Sequence, residues 1–263
     1  MRHQSMRRRA LRAALSALFL GALTVPATAA EALNPDADEI LRSMSTFVAG
    51  MKAFSATADI SNEIVTKDGQ KLQIISTATL VLERPSRFYI TRRGKFADAE
   101  VFYDGKKLTL YGKTANAYIQ KDLAGTIDDA LNTLERGIGI PTPASDLLLA
   151  NPYAALISGA TSSGYYGLEV VAGVRSHHLA FRTALVDWQL WVKAEGHPLP
   201  MKYVITTKDV AGAPQFSVQF SNWNLKPAIA ANRFTFVAPK GVKRLEALPV
   251  DAMGEITVMQ ENK

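Results

Sequence analysis

Ser176-His177-His178-Leu179-Ala180-Phe181-Arg182 is the stretch on which the reading of the second half of the chain turns. Two of the four histidines stand side by side in it, which suggests a metal or catalytic pair. The alternation around them suggests a β-strand instead. Successive side chains of a strand point to opposite faces, so His177 and His178 cannot hold one ion together, as histidines at i, i+2 on a strand or i, i+4 on a helix can. His177 then shares a face with Leu179 and Phe181 and stands as a polar group at its rim, while His178 shares the other face with Arg182 and looks to water. No metal site and no cofactor is expected.

The same alternation extends outward from SHHLAFR. One face collects Leu179 and Phe181, then Trp188, Leu190 and Val192, then Met201, Tyr203 and Ile205, then Phe216, Val218 and Phe220. The other collects residues such as Arg182, Asp187, Gln189, Lys202, Thr206, Gln215 and Ser217. One face is therefore apolar and aromatic, the other solvated. Strands are expected at 165–172, 175–183, 187–193, 199–208, 215–223 and 233–237, with Gly196-His197-Pro198 and Gly212-Ala213-Pro214 as turns between them. The first half behaves alike, with strands at 54–66, 71–83, 87–93, 99–104, 107–111 and 117–121; Leu72, Ile74, Ala78, Leu80 and Leu82 oppose Gln73, Thr77, Thr79 and Glu83. Connections this short join antiparallel neighbours, because a parallel pair needs a crossover of about a dozen residues.

Two segments break the period of two. After Asn34-Pro35-Asp36, a helix start with acidic residues where the helix dipole favours them, Ile40, Leu41, Met44, Phe47 and Val48 gather on one face as far as Gly50. Between about 126 and 158 the spacing of Ile127, Ala130, Leu131 and Leu134 is helical, Ser145-Asp146 can cap Leu147-Leu148-Leu149, and Pro141, Pro143 and Pro152 cut the region into short pieces. The apolar run from Leu147 to Ile157 serves either as core or as a lid. Roughly eleven or twelve strands exceed what a flat open sheet holds before it curls. The expected fold is α+β and mostly antiparallel β: an unclosed half-barrel wrapped around the N-terminal helix and the central insertion, with a loosely held tail at about 249–263.

Residues 1–30 read as an export signal, with Arg2, Arg7, Arg8, Arg9 and Arg12 before the apolar run from Leu11 to Val25 and a small-residue cleavage site near Ala29. That run is too short for a retained membrane span, and the mature chain, 31–263, is expected to be a soluble monomeric domain of the periplasm. There is no cysteine, so neither an acylated N-terminal cysteine nor a disulfide is available. The formal net charge of +6 comes largely from the signal; without it 25 basic residues face 24 acidic ones, and no basic stripe remains for nucleic acid.

The run Asp187-Trp188-Gln189-Leu190-Trp191-Val192, Pro198-Leu199-Pro200, Tyr203-Val204-Ile205-Thr206 and Phe220-Ser221-Asn222-Trp223-Asn224-Leu225, together with the signal and the first helix, resembles a family of predicted periplasmic bacterial proteins of unknown function. That family is similar in fold to the lipoprotein carriers LolA, LolB and LppX. The resemblance implies a half-barrel around a helical lid, with an apolar cavity that in the carriers accepts acyl chains. No motif assigns the carriers' functional arginine to Arg87, Arg92, Arg93 or Arg182.

The chain carries no G-x-S-x-G elbow, H-E-x-x-H, P-loop or cysteine nucleophile. Asp187, beside Trp188, is the one acidic residue whose context invites watching. The expected function is therefore non-enzymatic: binding or carrying a lipid, an acyl chain or the lipid part of a lipoprotein on the apolar concave face, with Leu179, Phe181, Trp188, Leu190, Tyr203, Ile205, Phe216, Val218 and Phe220 as wall and His177 at the rim. The alternatives are an envelope sensor that binds another protein and, with less support, a carboxylate hydrolase.

Overall fold

The computed structural model describes residues 33–95 and 98–247. The segment 1–30 expected as an export signal and the tail expected to be loosely held at 249–263 lie outside the described residues. Helix α1 (Pro35–Gly50) begins where Asn34 Oδ1 accepts the Ala37 N–H at 3.0 Å, which satisfies one of the amide donors a helix start leaves unpaired. Ala37, Leu41, Met44 and Val48 are fully buried along one stripe. Ile40 and Phe47 pack beside them.

The strands form one sheet. They are β1 (Ala53–Val65), β2 (Lys71–Glu83), β3 (Arg87–Gly94), β4 (Asp98–Tyr103), β5 (Lys107–Gly112) and β6 (Ala117–Asp122) in the first half. The second half supplies β7 (Ser162–Val171), β8 (Val174–Arg182), β9 (Val186–Lys193), β10 (Pro200–Thr207), β11 (Gln215–Asn224) and the short β12 (Lys243–Arg244). Their order is β12-β6-β5-β4-β3-β2-β1-β11-β10-β9-β8-β7, twelve strands among the described residues. Each half is a meander, and the two are joined where β1 pairs antiparallel with β11, Ala58 opposite Phe220 and Ile60 opposite Val218. The result is the mostly antiparallel, unclosed sheet that the alternation implies.

The two halves are covered differently. Helix α1 lies against β7, β8 and β9 and against α3 (Pro152–Ile157). Over the first half sits the insertion: α2 (Ile127–Asn132), a π-helical turn (Thr133–Ile138) and a 3-10 turn (Ser145–Leu148). Thr126 and Asp129 start α2 with a reciprocal capping box. Ser145-Asp146 gives no side-chain cap to the 3-10 turn; Ala144, at φ +66°, precedes it.

The segment 233–237 is not a strand. Its i, i+2 pair Phe234 and Phe236 imitates strand period, but the chain turns there, with the Arg233 N–H bonded to Ala230 O and the Thr235 N–H to Asn232 O. It crosses the outer face of the first meander instead. Phe236 packs among Phe102, Tyr111 and Tyr118 with ring centroids 5.4, 5.5 and 4.9 Å away. Phe234 is 3% exposed beneath the Arg87 guanidinium. Beyond it, β12 pairs in parallel with the edge strand β6.

Because Phe234 is a buried aromatic on a segment held by few ladder bonds, Phe234→Ala should lower the free energy of unfolding by about 3 kcal/mol. Urea denaturation checks this, and a loss below about 0.5 kcal/mol would show that the strap adds nothing.

Candidate ligand-binding cavity

Directly opposed residues of antiparallel strands share a face, so the pairing registers divide the inner surface of the first meander into transverse rows. The innermost row, Phe54, Leu82, Phe88, Tyr103 and Leu108, is fully buried. The next contains Leu80, Ile90, Val101 and Leu110. Above this second row the packing stops short, leaving a cavity of about 220 Å3.

Its floor and walls are Ile60 and Ala58 of β1, Ala78 and Leu80 of β2, Ile90 and Arg92 of β3, Ala99 and Val101 of β4, Leu110 of β5, and Phe216, Val218 and Phe220 of β11. The roof is Leu131, Leu134, the loop from Ile140 to Ser145, and Leu148. Gly139 at φ +83° ends the π-helical turn, Pro141 and Pro143 keep the following loop from continuing as helix, and it closes into a turn in which the Ser145 N–H donates to Thr142 O at 3.1 Å. Leu147 and Leu156 are buried in the core while Leu148 faces the cavity, so the apolar run of the insertion is core and roof at once. Arg92 is the one charged residue of the lining among the described residues.

Of the residues expected as wall, Phe216, Val218 and Phe220 line this cavity. Leu179, Phe181, Trp188, Leu190 and Tyr203 are at most 3% exposed and fill the solid core of the other half. Phe181 and Trp188 stack at 4.1 Å, and Tyr203 meets Trp188 edge-on at 5.7 Å. Ile205 is partly buried and packs against that core, away from the cavity lining. Partly buried His177 has its Nδ1 2.9 Å from the Tyr165 hydroxyl.

His178 does point to the outer face, yet it is not simply solvated. It stacks on Trp191 at 4.2 Å, with Nδ1 3.1 Å from Glu169 Oε1 and Nε2 3.0 Å from Gln189 Oε1. The Trp191 indole N–H donates to Glu169 Oε2 at 2.8 Å. Among the described residues no group of three or more His, Asp or Glu is placed to hold a metal.

Asp187 is held between Arg182 at 3.2 Å and Lys208 at 3.0 Å. Burial pushes its carboxyl up, but the hydrogen bonds and charges of Lys208 and Arg182 outweigh this and hold it below its usual range. A carboxylate so stabilised is a poor general acid. Asp146, on the 3-10 turn, behaves in the opposite way: burial, and then the nearby charge of Glu135, raise its carboxyl above the ordinary 3.8.

The sequence reading missed the walls supplied by β1 to β5. The usable signal was the inward alanines, Ala58, Ala78 and Ala99, which leave space open where the second half carries large side chains.

An unclosed antiparallel sheet curled under the insertion, with an apolar cavity between them, makes an open half-barrel. The chain belongs to the family of predicted periplasmic proteins DUF2092, whose model matches residues 37–248. No curated protein matches it. Similar solved structures include an uncharacterised conserved protein from Thermus thermophilus, 11% identical, with a TM-score of 0.46 over 80% of this chain and 98% of that one. LprF from Mycobacterium bovis is 12% identical, with a TM-score of 0.47 over 77% and 99%. MucB in the Pseudomonas aeruginosa MucA/MucB complex is 18% identical, with a TM-score of 0.44 over 77% of this chain and 62% of that one, so this chain spans less than two thirds of it. Among the described residues no helix is long and apolar enough to cross a membrane.

The raised carboxyl of Asp146 sets the sign of a pH effect. The folded protein binds this proton more tightly than the unfolded chain, so the contribution to stability is full below about 3.8 and is lost as pH rises through the folded value. Asp146→Asn should therefore unfold at a higher temperature than wild type at pH 7, with the difference closing as the pH approaches 3.8. Thermal unfolding followed across that range is the check.

Proposed function

We propose that the protein binds a hydrophobic or amphipathic ligand, an acyl chain or a lipid carrying one, in the cavity beneath the insertion. The observation that carries this reading is an apolar space of about 220 Å3 walled by side chains of six strands and roofed by the short helical pieces and the loop of the insertion. Ligand pockets commonly run to about 300–1,000 Å3. A space below that range suits one chain, not a whole diacyl lipid. Each buried methylene contributes about 0.8 kcal/mol, so six would supply about 5 kcal/mol with no polar contact. The described lining contains no Asp, Glu or His, which speaks against a hydrolase at this place.

Native mass spectrometry of gently purified protein, followed by organic extraction of what it carries, tests the reading. A bound mass extractable as lipid is expected for wild type. It should be absent in Ala78→Phe, whose ring would occupy the cavity while the outer face is untouched. A wild-type chain that carries nothing and takes up no added long-chain ligand would sink the proposal.

One observation favours a second reading, an interaction module. Strand β7 ends the sheet, and Tyr166, Leu168 and Val170 on it are 66%, 47% and 68% exposed. Cross-linking in the envelope that joins one protein to β7, with no lipid in the cavity, would favour that role over ligand carriage.

A further inference from the structure

The third row of the inner face differs from the two below it. Where the second row presents Leu80, Ile90, Val101 and Leu110, the next inward positions are Ala78 on β2, Arg92 on β3, Ala99 on β4 and Gly112 on β5. Arg92 therefore has an alanine directly opposite on each neighbouring strand. A leucine at either place would fill the space beside the guanidinium.

Arg92 lies two residues before the end of β3 and on the cavity wall. Its Nε donates to Ser76 Oγ at 3.1 Å, and Ser76 lies opposite Gly94, the last residue of β3. A Cβ on Gly94 would come within 2.8 Å of the Ser76 Cβ, so only glycine lets the two strands close at this point. The cavity thus runs from an aliphatic floor to a single cation whose flanks are kept small. A guanidinium presents several donors in one plane, the geometry that matches carboxylate and phosphate.

Resting on the reading that the cavity takes an apolar chain, we infer that the ligand is an anionic amphiphile. Its chain lies along Leu80, Ile90 and Val101, and its carboxylate or phosphate head is held by Arg92 in the space that Ala78 and Ala99 leave. A fatty acid supplies the first head and a lysophospholipid the second.

Titration calorimetry of the full mature chain with dodecanoate, dodecyl phosphate, dodecanol and dodecyltrimethylammonium tests this. Wild type should bind at least one of the two anions about 10-fold more tightly than the alcohol, the scale of a charge-assisted hydrogen bond. The tighter anion identifies the source. Arg92→Gln should bring both anions to the level of the alcohol while leaving the alcohol within about twofold, which also shows that the cavity is intact. Should Arg92→Gln not fold, Ala99→Leu keeps the charge but crowds its flank and should reduce the preference for anions. Alcohol or cation bound as tightly as both anions by wild type, or a preference that survives Arg92→Gln, overturns the inference and leaves the cavity reading standing. Binding of none of the four probes removes the cavity reading, and this inference with it.

Discussion

The pairing of β1 with β11 holds the molecule together. Each meander alone would expose an apolar face and two edges, and short sheets of that kind are marginal in water. With Ala58 opposite Phe220 and Ile60 opposite Val218, the seam joins strands separated by about 160 residues and turns two apolar faces into one concave surface. The helices then follow. Helix α1, with its stripe of Ala37, Leu41, Met44 and Val48, covers the half with the larger side chains, and the insertion, which leaves β6 at one edge and returns to β7 at the other, must pass over the concavity. A loop of chain forced across a cavity is a roof by topology before it is one by packing.

This division explains where empty space arises. Interiors pack as densely as organic crystals, so a persistent cavity needs side chains too small to meet across the gap. In the second half Trp188, Tyr203 and Phe181 pack on one another in the same buried core as the α1 stripe. In the first half alanines hold the third row, and the roof above is proline-stiffened loop that cannot follow them down.

Much of the fold was legible because the period of two is a local property. The strands from Ala53 to Asp122 and from Ser162 to Asn224 follow the alternation to within a few residues, and the α1 stripe follows the helical period. The seam was not legible, since alternation assigns a face but not a neighbour. The same limit misled the reading of Phe234 and Phe236, whose spacing is that of a strand while their backbone turns over the outer aromatics. For the cavity, large apolar residues drew attention to the face they fill; room for a guest is written in small residues at inward positions, and it appears only once the register sets Ala58, Ala78 and Ala99 in line.

The two edges of the sheet are finished differently. At β6, β12 pairs with Ala117 and Tyr118, and the exposed charges of Lys121 and Asp122 follow. At β7, the register shifts between Tyr165 and Leu168, and Gly167 takes φ +91°. A bulge of this kind bends and twists the strand, so that an incoming strand finds no even ladder of amides and carbonyls. What this edge presents instead is the exposed side chains of Tyr166, Leu168 and Val170. A long open sheet is in this way kept from serving as a template for aggregation.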